Sequence, residues 1–248
     1  MSSSTITVGF PLYPGCTLLD FAGATQVFAY TPGFQVVWIA ADRSPVPTTE
    51  SVSVLPSATF DDHPPLDIVF MPGGGSDGVS AAMIDPAFQA WLKSVAAQAE
   101  WVGSVCTGAF ILATAGLFDG CRATTYWSAR PVLALFPGVE VVPGYPRWHI
   151  DAENKRFSGG GISSSIDLAL KLVETIAGRQ AAEGSQIRAV AACPCGRPQR
   201  SLAGAGGQHH PVAGGLHGRA GRRGEPGAGE SVKRLLAGAR DRMGDPRP

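Results

Sequence analysis

The chain predicts an α/β fold with a mostly parallel central sheet and helices on both faces. Three observations carry this. Strand-like and helix-like segments alternate through residues 5–187. Several strand-like runs are continuously apolar or β-branched, as strands covered on both faces are. The length of 248 residues suits one sizeable core.

Ile6-Thr7-Val8-Gly9-Phe10 marks a first strand over 5–10, and Leu18 to Tyr30 a first helix. Strands follow at Gln35 to Ala41 and Asp67 to Met71. A helix is expected over Pro86 to Ala99, because Asp85 is a good N-cap and Pro86 fits a first turn. The apolar run Trp101 to Val105 is a strand and Gly108 to Ala115 a helix, ended by Gly116. Ser128 to Leu135 reads as a helix, Val139 to Val142 as a strand, and Ser158 to Gly160 as the end of another. Ile162 to Gly178 is a last core helix, with Gly178 at its end.

Lys+Arg and Asp+Glu balance at 20 each, which argues against nucleic acid or an anionic membrane as the main partner. No run of consecutive apolar residues is long enough for a transmembrane helix. Met1-Ser2-Ser3-Ser4 lacks a basic n-region, so no signal peptide and a cytoplasmic location are expected. The cysteines at 16, 106, 121, 193 and 195 show no disulfide-framework spacing, and Cys193-Pro194-Cys195 has no matching second pair for zinc.

Two regions are expected: a catalytic domain over 1–187 and an irregular tail over 188–248 with a short helix near 230–240. Residues 188–229 are rich in Arg, Gly, Ala and Pro, with no period of 2 or 3.6. Two explanations stand side by side: a linker, or part of a GC-rich gene read in the wrong frame.

In a parallel sheet, ligands collect at the carboxyl ends of strands, and three features fall there. Cys106 follows Trp101 to Val105 and opens a helix. A bend at that point exposes the side chain, and the helix N-terminus favours thiolate. Gly73-Gly74-Gly75 follows Asp67 to Pro72 and allows close backbone approach. The N–H groups of Gly73 or Gly74, with that of Thr107, are candidate donors to a developing negative charge. Asp20 is a carboxylate in an apolar stretch; buried beside the thiol, it would have a raised pKa and act as an acid or base. Each feature also has a plainer reading, as packing, helix cap or turn. His63, in the turn-like Asp61-Asp62-His63-Pro64-Pro65, reads as solvated, His149 as without a ligand partner, Cys16 and Cys121 as without a role, and Trp127 and Trp148 as aromatic core.

These pieces occur together in one order: Val8-Gly9-Phe10 with Pro14, Leu19-Asp20-Phe21-Ala22-Gly23, Pro72-Gly73-Gly74, Ser104-Val105-Cys106-Thr107-Gly108, Arg122-Ala123-Thr124-Thr125 and Gly159-Gly160-Gly161-Ile162. In that order they resemble the ThiJ/PfpI superfamily, relatives of the class I glutamine amidotransferases, over most of 5–187. Within it the chain resembles the isocyanide hydratases, where a Cys-Thr-Gly elbow is paired with an acid in a Leu-Asp-x-x-Gly motif. The resemblance implies a flavodoxin-like three-layer sandwich, a homodimer, a small-molecule substrate and no metal or organic cofactor. It implies Cys106 as nucleophile, Asp20 as acid/base and Thr107 beside them, with Gly73, Gly74, Gly160 and Ile162 lining the substrate site. The implied reaction turns an isocyanide and water into an N-substituted formamide. Tyr126 stands where relatives commonly carry His, so no imidazole base acts from that position. Two alternatives share the fold: the ligand-sensing domain of AraC-type transcription regulators, and a cysteine-based redox or glyoxal-handling protein.

Overall fold

A computed structural model describes residues 5–189; the expected tail and its short helix lie outside the described residues. Strand β1 (Ile6–Pro11) leads into helix α1 (Leu18–Ala29), and β2 (Phe34–Ala40) follows. A small hairpin, β3 (Val46–Pro47) with β4 (Ser53–Val54), precedes the short β5 (Ala58–Thr59). Then come β6 (Ile68–Met71), α2 (Ser76–Ile84), α3 (Pro86–Ala96), β7 (Trp101–Val105) and α4 (Gly108–Thr114). The second half holds β8 (Cys121–Ala123), a 3-10 turn at Trp127–Ala129, α5 (Arg130–Leu133), β9 (Val139–Val141), β10 (Trp148–Asp151), β11 (Arg156–Gly159), α6 (Ser164–Ala177) and α7 (Arg179–Ala189).

Seven strands form one sheet in the order β10-β11-β7-β6-β1-β2-β5. Every neighbouring pair is parallel except β10 with β11. This is the predicted mostly parallel α/β sheet with its helices. Parallel pairing puts the carboxyl ends of β1, β6, β7 and β11 on one edge, where Pro11, Met71, Val105 and Gly159 hand the chain to the site-bearing loops.

The core explains the register. Phe10, Phe70 and Phe157, on three strands, meet at ring-centroid distances of 5.2 Å for each successive pair, and Phe28 of α1 packs on Phe10 and Phe70. Gly103 in the middle of β7 admits this packing, because a Cβ there would lie 2.3 Å from the Phe157 ring. All five residues of β7 are buried, so the strand that delivers Cys106 is anchored on both faces.

Asp85 caps α3 as expected, accepting the N–H groups of Ala87 and Phe88 at 2.9 and 3.1 Å. Gly116 and Gly178 hold φ of 76 and 86 at helix ends. Other expectations are corrected. The helix over 128–135 divides into a 3-10 turn and the short α5, since Pro131 has no N–H to continue a helix and sits instead in a first turn. The expected strand over 139–142 does form, as Val139–Val141, but it pairs with β8 outside the seven-stranded sheet. Helix α2 was not expected, because its small residues show no apolar period; Gly78 lets it abut the Pro14-Gly15 loop, a Cβ there falling 2.4 Å from the Pro14 carbonyl. Helix α7 reaches Ala189, the last described residue, and is tied to the core by the buried Thr31–Ser185 hydroxyl pair at 2.7 Å.

Candidate active site

At the end of β7, Cys106 takes φ of 54, a left-handed conformation uncommon for a residue with a Cβ. Two bonds hold it there. Its N–H donates to the Gly159 carbonyl at 3.1 Å, and its carbonyl accepts the Thr125 hydroxyl at 2.7 Å. Gly108 completes the elbow, because a Cβ there would meet the Pro72 carbonyl at 2.6 Å. The strand-to-helix bend read from the sequence is therefore present.

Asp20 reaches the elbow from the first turn of α1 and is fully buried. Its Oδ2 accepts the Gly73 N–H at 2.9 Å. Its Oδ1 is buried without a hydrogen bond of its own. Gly73 is where the site crosses: a Cβ there would lie 2.7 Å from Cys106 Cβ, 2.8 Å from Asp20 Oδ2 and 2.8 Å from the Thr107 nitrogen. The Thr107 hydroxyl donates to the Gly74 carbonyl and accepts the Gly74 N–H, both at 3.0 Å. Thus Cys106, Asp20, Thr107, Gly73 and Gly74 come together, but with both glycine N–H groups already engaged, on a carboxylate and on a hydroxyl.

Burial raises the Asp20 carboxyl to about 7, against the Gly73 N–H, which lowers it, and with the charge of Glu50, which raises it further. This is the direction expected from an acid buried in apolar surroundings. Cys106 moves opposite to its expectation. Burial first, and then the facing Asp20 charge, lift its thiol to about 12, although Thr107 draws it down. The side chain is only 8% exposed. Desolvation and a neighbouring carboxylate outweigh a seven-residue helix whose field is felt only at its end. The resting group is a thiol.

Gly160 is buried and its N–H donates to the Arg147 carbonyl at 2.9 Å; it follows Gly159, which takes the Cys106 N–H. Ile162 lies at the surface, and its carbonyl is joined through the Ser165 hydroxyl to that of Leu19, next to Asp20. The Tyr126 ring lies beside Gly161. Sequence reasoning missed Tyr13, which is buried with its hydroxyl donating to the Pro72 carbonyl at 3.1 Å. It also missed the role of Thr125, although that residue stood in a quoted motif. Cys16 is fully buried where Gly74 bridges to it. His63, expected to be solvated, is half-buried and accepts the Trp91 indole N–H at 3.2 Å. Trp127, expected in the core, is 62% exposed.

Residues 7–145 match the DJ-1/PfpI family. The isonitrile hydratase of Pseudomonas putida is 37% identical over 183 residues, 74% of this chain and 77% of that enzyme. The HTH-type transcriptional regulator CdhR of Pseudomonas aeruginosa is 27% identical over 70% of this chain, which spans 51% of the regulator. The crystal structure of a ThiJ/PfpI family protein from Pseudomonas syringae superposes with a TM-score of 0.69 at 32% identity, covering 74% of each chain. Among the described residues no helix is long and apolar enough to cross a membrane.

Proposed function

The chain belongs to the DJ-1/PfpI family, and on that premise we propose that it is an isocyanide hydratase acting through Cys106 and Asp20. The observation that carries this reading is a fully buried carboxyl, poised near neutrality, set against a thiol at a strained elbow. Similarity to an isonitrile hydratase supports the same reaction class.

The Gly73 N–H occupies Asp20 Oδ2, so Oδ1 is the oxygen that carries and moves a proton. The ionised carboxylate takes the Cys106 proton as sulfur bonds to the terminal isocyanide carbon. The same proton then passes from Oδ1 to that carbon, giving the thioimidate R–N=CH–S–Cys. Water adds across C=N to give R–NH–CH(OH)–S–Cys. The C–S bond breaks, the thiol regains its proton, and R–NH–CHO leaves. In the first addition one proton passes from sulfur through Asp20 to carbon; hydration then places a water proton on nitrogen, and collapse returns the hydroxyl proton to sulfur, steps that an acid near 7 can relay. The N–H of Thr107, which lowers the thiol, is the donor that steadies charge on sulfur. Gly73, Gly74, Gly160 and Ile162 belong to the substrate side of this reading, and assembly as a homodimer belongs to it too.

The test is formamide production from cyclohexyl and aryl isocyanides, followed by mass spectrometry, for the protein and for Cys106→Ser and Asp20→Asn. Full activity in Cys106→Ser rejects the mechanism. The likeness to CdhR favours a second reading, a ligand-sensing domain, which would bind small molecules without turning them over in the same assay.

A further inference from the structure

Glu50 sits on the turn of the β3–β4 hairpin, exposed and without any motif around it. Its Oε2 accepts the backbone N–H of Leu18, the first residue of α1, at 3.1 Å. Thr17, at the N-cap position of that helix, makes no side-chain capping bond. Glu50 therefore supplies, from another element, the cap that α1 lacks. Further bonds sew this hairpin to the same stretch. Gly15 N–H donates to the Pro47 carbonyl at 2.8 Å and Thr49 N–H to the Cys16 carbonyl at 3.1 Å. Thr17 N–H then donates to the Gly73 carbonyl at 2.9 Å. The turn itself is held in a costly shape: Ser51 has φ of 60, and Thr48 places both its N–H and its hydroxyl on the Val52 carbonyl at 2.8 and 2.7 Å.

We propose that Glu50 is a positioning residue for Asp20: it caps α1 from outside the helix, fixing the turn that carries the Asp20 carboxyl, and sets its own negative charge against that carboxyl. The proposal rests on the reading of Cys106 and Asp20 as the reacting pair. Slight burial raises Glu50, but the hydrogen bond from Leu18 N–H and the polar groups of its own turn hold it below the ordinary glutamate range. It is thus ionised at neutral pH. The other ionisable groups facing Asp20 are Tyr13, Cys16 and Cys106, all raised by burial and all neutral there. Glu50 is the standing charge among them, and it opposes ionisation of Asp20.

The experiment follows alkylation of Cys106 by iodoacetamide from acid to alkaline pH, quantified on its own peptide by mass spectrometry, in the wild type, Glu50→Gln, Glu50→Ala and Asp20→Asn. The wild-type rate has an inflection from Asp20, and Asp20→Asn removes it. Glu50→Gln keeps an acceptor for Leu18 N–H and loses the charge, so the inflection moves down by roughly half a unit. Glu50→Ala also loses the cap, so its inflection moves down and its Tm falls. An inflection unmoved in both Glu50 variants but absent in Asp20→Asn overturns the proposal alone. An inflection that survives in Asp20→Asn instead removes the reading of the Cys106–Asp20 pair. Glu50→Asp, which restores charge on a shorter arm, returns the inflection toward the wild-type position if charge is the cause.

Discussion

Gly73 donates its N–H to Asp20 Oδ2 at 2.9 Å from a position where a Cβ would stand 2.7 Å from Cys106 Cβ. One backbone unit therefore aims the carboxyl and leaves room for the thiol.

That closeness makes Gly73→Ala a selective lesion. The added methyl must displace Cys106, Asp20 or Thr107, each under 3 Å away. Overpacking of this kind costs about 1–3 kcal/mol, while on the proposed mechanism misplacing Cys106 and Asp20 lowers kcat/KM for isocyanide hydration by about 100-fold. Steady-state kinetics beside thermal melting checks both; a Gly73→Ala protein with unchanged kcat/KM would show that the crossing does not matter to the reaction.

The raised Asp20 carboxyl makes stability depend on pH. Its folded value of about 7 lies above the unfolded value of about 3.9, so between them the folded state binds more protons. Stability is then full below the unfolded value, declines as pH rises, and levels off above about 7, with a total loss of at most about 4 kcal/mol. Asp20→Asn removes this decline. Urea unfolding across the range measures it, and a wild type and variant with parallel pH curves would contradict the assignment.

Thr125 donates its hydroxyl to the carbonyl of the left-handed Cys106 at 2.7 Å. Thr125→Val leaves that buried acceptor unpaired, at about 1–3 kcal/mol, and loosens the elbow. Thr125→Ser keeps the hydroxyl and restores most of the loss. Chemical denaturation and Cys106 alkylation rates of the two variants are the comparison; equal behaviour of Val and Ser would deny the bond its role.

Far from the site, Gly103→Ala tests the core. Its methyl would meet the Phe157 ring at 2.3 Å and the Phe157 carbonyl at 2.2 Å, inside two paired strands. Neither neighbour is a flexible chain end, so the loss reaches about 3 kcal/mol or more. A Tm within a degree or two of wild type would show that β7 and β11 can separate without cost.

Much of this arrangement was legible along the chain. The buried run Trp101 to Val105, the small residues after Cys106 and the Asp85-Pro86 start are local signals, and each produced its element. Helix α2 and strand β8 were illegible because their residues carry no period strong enough to declare a face, and although β9 was read as a strand, nothing in it named β8 as its partner. Glu50 carried no signal at all, since an exposed acid on a hairpin looks the same whether or not a helix start lies across from it.

By itself the sequence determined the α/β alternation, the parallel sheet and the identities gathered at its carboxyl edge, because burial pattern and turn chemistry are written residue by residue. Only the tertiary structure decided which groups hold protons. It left Cys106 a thiol where the helix start alone argued for thiolate, engaged the Gly73 and Gly74 N–H groups on Asp20 and Thr107, and set Glu50 against Asp20. The reason is that desolvation and charge act through space over a few ångströms, between residues that lie far apart in the chain.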